Sequence, residues 1–218
     1  MSDSHRYSEA DRAAIYRVMK ERRDMRHFRP DAIPSDAMQR LLEAAHDAPS
    51  VGYMQPWRFI RITDAGLRAD LAMLVEKERQ RTALALGERS GEFLRLKVEG
   101  IRECSELWVV ALTDDRQQYV FGRRTMPRMD LASASCAIQN LWLAARAEGI
   151  GMGWVSLFDP DALAERLAMP ATAEPIAILC MGYVNAFYEK PMLEQSGWDQ
   201  RRNLATLIGV NEWPEISE

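Results

Sequence analysis

Cysteine, histidine and long apolar runs are all scarce in this 218-residue chain, and each scarcity removes a class of function. Cys104, Cys136 and Cys180 are odd in number and far apart, which excludes a disulfide framework or a zinc knuckle and fits a reducing cytosol. Each is read as a small buried hydrophobe rather than a nucleophile. His5, His27 and His46 share no ligand spacing, so no metal site is expected. Uncharged stretches such as Leu131–Ala145 and Pro175–Tyr188 fall short of the roughly 20 apolar residues that span a bilayer. Met1–Arg6 has no signal-peptide core, and a cytoplasmic protein is expected. Basic excess is missing too. A net charge of -4 and a pI near 5.6 argue against a nucleic-acid binder. Ser156 stands in no Gly-x-Ser-x-Gly elbow, and nothing marks a catalytic triad.

What is present suits one globular domain over residues 1–218: 47% hydrophobic and 28% charged, with no repeat and no low-complexity linker. Ser8–Lys20 reads as a helix, and Pro34-Ser35-Asp36 opens a second with Ser35 as N-cap. Met38, Leu41, Leu42 and Ala45 give that helix one apolar face. Trp57–Ile62 alternates as a strand, and Asp64–Ile101 is helical with breaks at Gly87 and Ser90-Gly91. Leu107–Leu112 and Ile176–Val184 read as buried strands. Between them Met129–Arg146 is a helix whose face carries Ala134, Ile138, Leu141, Trp142 and Ala145. Gly149–Ser156 is a turn running into a strand, and Asp161–Ala168 a short helix. After Val184 no periodicity remains, yet Phe187, Tyr188, Trp198 and Trp213 follow; such a tail is expected to lie on a partner subunit. The order predicts a mixed sheet with helices on both faces.

Charge is distributed unevenly. Arg17, Lys20, Arg22, Arg23, Arg26 and Arg29 crowd near the start, with Asp24 in their midst. Taken alone, a charged helix end explains the cluster equally well, because cations favour a helix C-terminus. A guanidinium also fits a phosphate through paired hydrogen bonds, and one carboxylate there could move a proton. A second segment, Ala48–Phe59, combines a helix stop, Ser50, Gly52, Gln55 and a Pro56-Trp57 pair. Hydrogen-bonding groups beside an aromatic platform suit a flat heterocycle. Gly149-Ile150-Gly151-Met152-Gly153 neither follows a strand nor opens a helix, which excludes a dinucleotide turn. Its glycines are read as allowing close approach to a helix or a ring system.

Arg22-Arg23-Asp24-Met25-Arg26-His27-Phe28, Ala48-Pro49-Ser50, Gln55-Pro56-Trp57 and Leu141–Trp154 together resemble the nitroreductase superfamily of FMN enzymes, over about Tyr16 to Leu204. The resemblance implies an α+β fold in three α/β/α layers, with a mixed, largely antiparallel sheet and a segment-exchanged homodimer whose FMN sites lie at the subunit interface. Two positions depart from the common pattern: Asp24 stands where serine is usual, and Tyr53 where asparagine is usual. With Gly122-Arg123-Arg124-Thr125-Met126-Pro127 and Gly153-Trp154-Val155-Ser156, they resemble the branch that makes 5,6-dimethylbenzimidazole, the lower ligand of cobalamin.

That resemblance implies an oxygen-dependent enzyme for which reduced FMN is a substrate: the isoalloxazine is fragmented and erythrose 4-phosphate leaves. NAD(P)H would act only indirectly, through a separate flavin reductase, with no nucleic acid or membrane as partner. Arg22, Arg23 and Arg26, with Met25 among them, would hold the phosphate and ring edge. Ser50 would lie against the flavin, and Arg201 would come in from the tail. Asp24 would transfer the proton near the ribityl chain, with Ser156 as a hydrogen-bond partner at the reacting edge. Cleaving a bond beside a sugar hydroxyl needs a base, and an oxygen-reactive ring needs cover from water, for which Gln80–Arg95 is the candidate. The alternatives are an NAD(P)H-dependent FMN nitroreductase and a non-catalytic flavin-binding protein.

Overall fold

A computed structural model describes residues 5–214, which gather into two units, one ending at Phe187 and one beginning at Tyr188. Of the N-terminal stretch read above, Met1–Ser4 lie outside the described residues.

The first unit opens with α1 (Glu9–Glu21), whose N-cap Ser8 accepts the Asp11 N–H at 3.1 Å. Helix α2 (Ser35–His46) buries Ala37, Met38, Leu41 and Ala45, the expected face. Ser35 is the first helical residue rather than the cap, and Pro34 precedes it with no side-chain cap bond. A rigid proline before the first turn sets the entry without a hydroxyl. Strand β1 (Trp57–Arg61) follows, then α3 (Ala65–Ala85), capped by the Asp64 carboxylate on the Leu67 N–H at 2.7 Å. Past α3 the chain makes a 3-10 turn over Gly87–Arg89 and the short α4 (Ser90–Leu94), so the helical run stops seven residues before Ile101. Arg79 ties that hairpin through the Leu94 carbonyl, and Phe93 is buried beneath it.

Strand β2 (Glu106–Leu112), helix α5 (Met129–Ala147), strand β3 (Ile150–Val155), helix α6 (Pro160–Arg166) and strand β4 (Glu174–Tyr183) complete the unit. The strands lie in the order β1-β2-β4-β3, each pair antiparallel. The mixed character expected from the sequence is confined to a parallel bridge between Asp24 and Met152.

Two-residue periodicity sends β2 into both layers. Trp108, Val110 and Leu112 join α2 and α5 in one core, while Leu107 and Val109 join Leu71 and Val75 of α3 and Leu163 of α6 in the other. Every residue of β2 is buried, as a strand covered on both faces must be. Leu141 is 1% exposed in the α2–α5 layer, where truncation to alanine would cost about 2–5 kcal/mol. Cys104 and Cys180 are buried as expected, but Cys136 is exposed, because it lies on the side of α5 turned away from the sheet core.

The second unit has a short helix α7 (Met192–Gln195) and a 3-10 turn over Leu204–Leu207. The tail therefore holds local structure that its lack of periodicity hid. Leu204, Ile208, Val210 and Trp213 are exposed.

Candidate functional site

The arginine cluster straddles the end of α1. At Arg22 the backbone leaves the helical region (φ -58°, ψ 133°), and the chain runs out along β3. The Met25 N–H donates to the Met152 carbonyl at 2.9 Å, which makes this segment a fragment of a further strand. Gly151 and Gly153 permit it. A β-carbon at 153 would collide with the Met25 carbonyl and stand 2.5 Å from Arg26 Nη1; one at 151 would meet Met25 Cγ at 3.3 Å. Gly153 thus serves the approach of a backbone segment, and Gly151 also clears Val184 Cγ1.

Asp24 is held from several directions. Its Oδ1 accepts the Trp154 N–H at 3.0 Å, and its Oδ2 meets Arg26 Nη2 at 2.5 Å. The same Nη2 donates to the Trp154 carbonyl at 2.8 Å, so Arg26, itself 6% exposed, fastens Asp24 to the strand. Burial pushes the Asp24 carboxyl above its ordinary value of 3.8, against the pull of Arg26, the Trp154 N–H and Arg22. Its side chain nevertheless stays 43% accessible. The carboxylate is crowded by protein on one side and open on the other, an arrangement suited to passing a proton.

One residue of this site had no functional role in the sequence. Trp142 Nε1 donates to the Arg23 carbonyl at 3.2 Å and to the Met152 carbonyl at 3.1 Å. The Arg22 guanidinium lies 4.4 Å from the centre of the same ring. Read as a core residue alone, Trp142 also pins the peptide that carries Asp24. The signal was the indole N–H, which needs an acceptor once buried. Arg23 Nη1 donates to the Lys20 carbonyl at 2.7 Å and the Arg22 carbonyl at 2.8 Å, closing the end of α1. Three guanidiniums against one carboxylate over residues 22–26 leave the segment positive, a donor set that fits a phosphate dianion.

Ser156 is exposed just beyond β3, two positions past Trp154, and so lies at the Asp24 end of that strand. Ser50 lies elsewhere. It precedes a tight turn in which Gly52, Tyr53 and Gln55 adopt left-handed backbone (φ 53°, 53° and 48°), and its Oγ accepts the Gln55 N–H at 3.0 Å. The Val51 N–H donates to Ser133 Oγ at 3.0 Å. Ser133 and Trp142 stand nine positions apart on α5, about 13 Å along its axis. Within the chain the structure thus gathers Arg22, Arg23, Asp24, Met25 and Arg26 but not Ser50, with Ser156 two residues past the Trp154 that Asp24 holds. Arg201 belongs to the second unit, where it is exposed. Trp57 is no platform: it is 5% exposed in the core, its Nε1 facing His46 Nδ1 at 3.4 Å, because the strand's alternation turns it inward. Tyr53, 84% exposed, is the aromatic ring that the loop presents. Among the described residues no group of three or more possible ligands could hold a metal, and no helix is long and apolar enough to cross a membrane.

Comparison with known proteins shows the family. The family model described as Nitroreductase family matches residues 19–183. A 5,6-dimethylbenzimidazole synthase of Rhodospirillum rubrum is 41% identical over 184 residues, covering 83% of this chain and 87% of its own. One of Rhodobacter capsulatus is 37% identical over 202 residues, covering 92% and 97%. Among solved structures, an NADPH:FMN oxidoreductase from Vibrio harveyi complexed with NAD+ superposes with a TM-score of 0.71 at 16% identity, over 94% of this chain and 80% of its own. This last likeness is one of fold. With its family model spanning most of the first unit and its relatives matching nearly end to end, the chain belongs to the nitroreductase family.

Proposed function

We propose that this chain is a 5,6-dimethylbenzimidazole synthase that takes reduced FMN and dioxygen as substrates and releases 5,6-dimethylbenzimidazole and erythrose 4-phosphate. The observation that carries the proposal is Asp24: a carboxylate anchored to β3 through the Trp154 N–H and Arg26, partly open to solvent, in a position flanked by arginines. Relatives of that name at 41% and 37% identity support it. The reduced ring supplies the electrons that dioxygen takes up. This chain's residues do the rest. Arg22, Arg23 and Arg26 bind the phosphate and the ring edge, with Met25 packed behind them. Asp24 accepts a proton near the ribityl chain, and Ser156 offers a hydroxyl at the same end of β3. A positioned base of this kind contributes about 10²–10⁴-fold.

A homodimer completes the site. Asp24 lies along β3 and Ser50 precedes β1, at opposite edges of the sheet, so a second copy is what brings a Ser50 loop to an Asp24 segment. Helix α1 buries no residue, and Tyr7, Ile15, Tyr16 and Met19 stay exposed near or along it, an apolar surface that a second copy would cover. The exposed apolar residues of the second unit and Arg201 take their part in the same assembly through segment exchange. A cytoplasmic setting and a separate flavin reductase belong to this proposal as well.

The Vibrio harveyi likeness keeps a direct NAD(P)H reductase in view, since fold alone does not separate the two. Aerobic incubation with chemically reduced FMN, followed by mass spectrometry, is the test. Dimethylbenzimidazole is expected, with slow NADPH oxidation unless a flavin reductase is added. Rapid NADPH turnover with FMN recovered intact would contradict it.

A further inference from the structure

The run Gly122–Pro127 has no part in the chemistry above, yet it is fastened by a buried ion pair. Arg123 is 8% exposed and Asp130 4%. Arg123 Nη2 meets Asp130 Oδ2 at 3.0 Å, its Nε donates to the Pro127 carbonyl at 3.1 Å, and its Nη1 donates to the Arg116 carbonyl. Asp130 stands in the first turn of α5, where the helix end favours a carboxylate. A buried guanidinium satisfied in this way fixes the turn that carries it, because releasing one partner would strand a charge away from water.

That turn grips the Ser50 loop. Gly122 has φ +76°, and a β-carbon on it would collide with Val51 Cγ2. In return, a β-carbon on Gly52 would stand 3.1 Å from the Phe121 carbonyl oxygen. The two turns interlock through their glycines. From the other side the Val51 N–H donates to Ser133 Oγ at 3.0 Å, and that hydroxyl donates to the Met129 carbonyl at 2.7 Å. The residue after Ser50 is therefore held both by the 120s turn and by α5.

We propose that residues 120–130 form a brace that sets the position of Ser50, with Gly122 and Ser133 as positioning residues and the Arg123–Asp130 pair as the anchor. The proposal rests on the flavin reading, since Ser50 matters only where its loop meets the ring. The test compares wild type, Gly122→Ala, Val51→Ala, their combination and Ser133→Ala, measuring FMN affinity by fluorescence quenching and the melting temperature without flavin. Gly122→Ala is expected to weaken FMN binding about tenfold or more, Val51→Ala by no more than about twofold, and the combination to regain part of the loss, because the colliding methyl is gone while the strain of alanine at φ +76° remains. Ser133→Ala, which keeps the helix intact but removes the acceptor of the Val51 N–H, is expected to lower the melting temperature slightly and to weaken binding about threefold or more in protein that is still fully folded. A purely structural role would lower melting temperatures and leave affinity alone, and that result overturns the brace, as does a combined variant no better than Gly122→Ala. If Gly122→Ala does not fold, Ser133→Ala decides alone. A wild-type protein that fails to bind FMN would bring down the flavin reading itself.

Discussion

Gly153 lies so close to Met25 that a β-carbon on it would strike the Met25 carbonyl oxygen. The Asp24 segment has its place because this position has no side chain. Gly153→Ala is expected to destabilise the fold by about 1–3 kcal/mol, as overpacking does, and to push Asp24 off the Trp154 N–H. Urea unfolding checks the first part; loss of benzimidazole yield beyond the loss of folded protein checks the second.

Trp142 holds the same segment from the other side. Trp142→Phe keeps a ring beneath Arg22 but deletes the N–H that serves the Arg23 and Met152 carbonyls. Met152 keeps the Met25 N–H as a donor; the Arg23 carbonyl loses this one. The expected cost is about 0.5–1.5 kcal/mol of stability for each hydrogen bond lost, with turnover of reduced FMN falling about tenfold. Steady-state kinetics beside thermal melting would show it, and unaltered turnover would contradict the pinning.

The raised Asp24 carboxyl sets the pH dependence. In the unfolded chain it ionises near 3.8, in the folded chain at a higher pH, so between the two values the folded state holds the extra proton. Ionisation of Asp24 therefore costs stability as pH rises through that window, and Asp24→Asn is expected to lack this component. Activity runs the other way, because the base must be ionised: turnover should fall as pH drops through the raised value, which lies above 3.8. A pH–rate profile whose acid limb sits at or below 3.8 would exclude Asp24 as that base.

We propose the hairpin of α3 and α4 as the cover that shields the flavin. Its tip at Gly87, with φ +55° and open space where a side chain would be, is the expected point of proteolytic cutting. Added FMN is expected to slow cutting there; equal rates with and without flavin would count against a cover.

Elements with one dominant period were legible. The face of α5 from Ala134 to Ala145 and the unbroken apolar run of β2 announced themselves, because burial alone dictates such patterns. The Asp24–Met152 bridge did not, since its partners lie 128 positions apart and no local preference joins them. Trp57 misled for a related reason: in the loop motif it looked like a platform, but the alternation of β1 turned it into the core. Asp24 itself was legible as one carboxylate among arginines. Its grip on Trp154 and the separation of Ser50 from it required the sheet order.

Asp24→Asn tested with reduced FMN in air, against wild type in the same assay, bears most directly on the chemistry proposed. Flavin affinity should stay within about threefold, because the arginines remain, while dimethylbenzimidazole formation drops by about 10²–10⁴-fold. An asparagine variant that binds flavin and makes the product at the wild-type rate would remove Asp24 from the reaction.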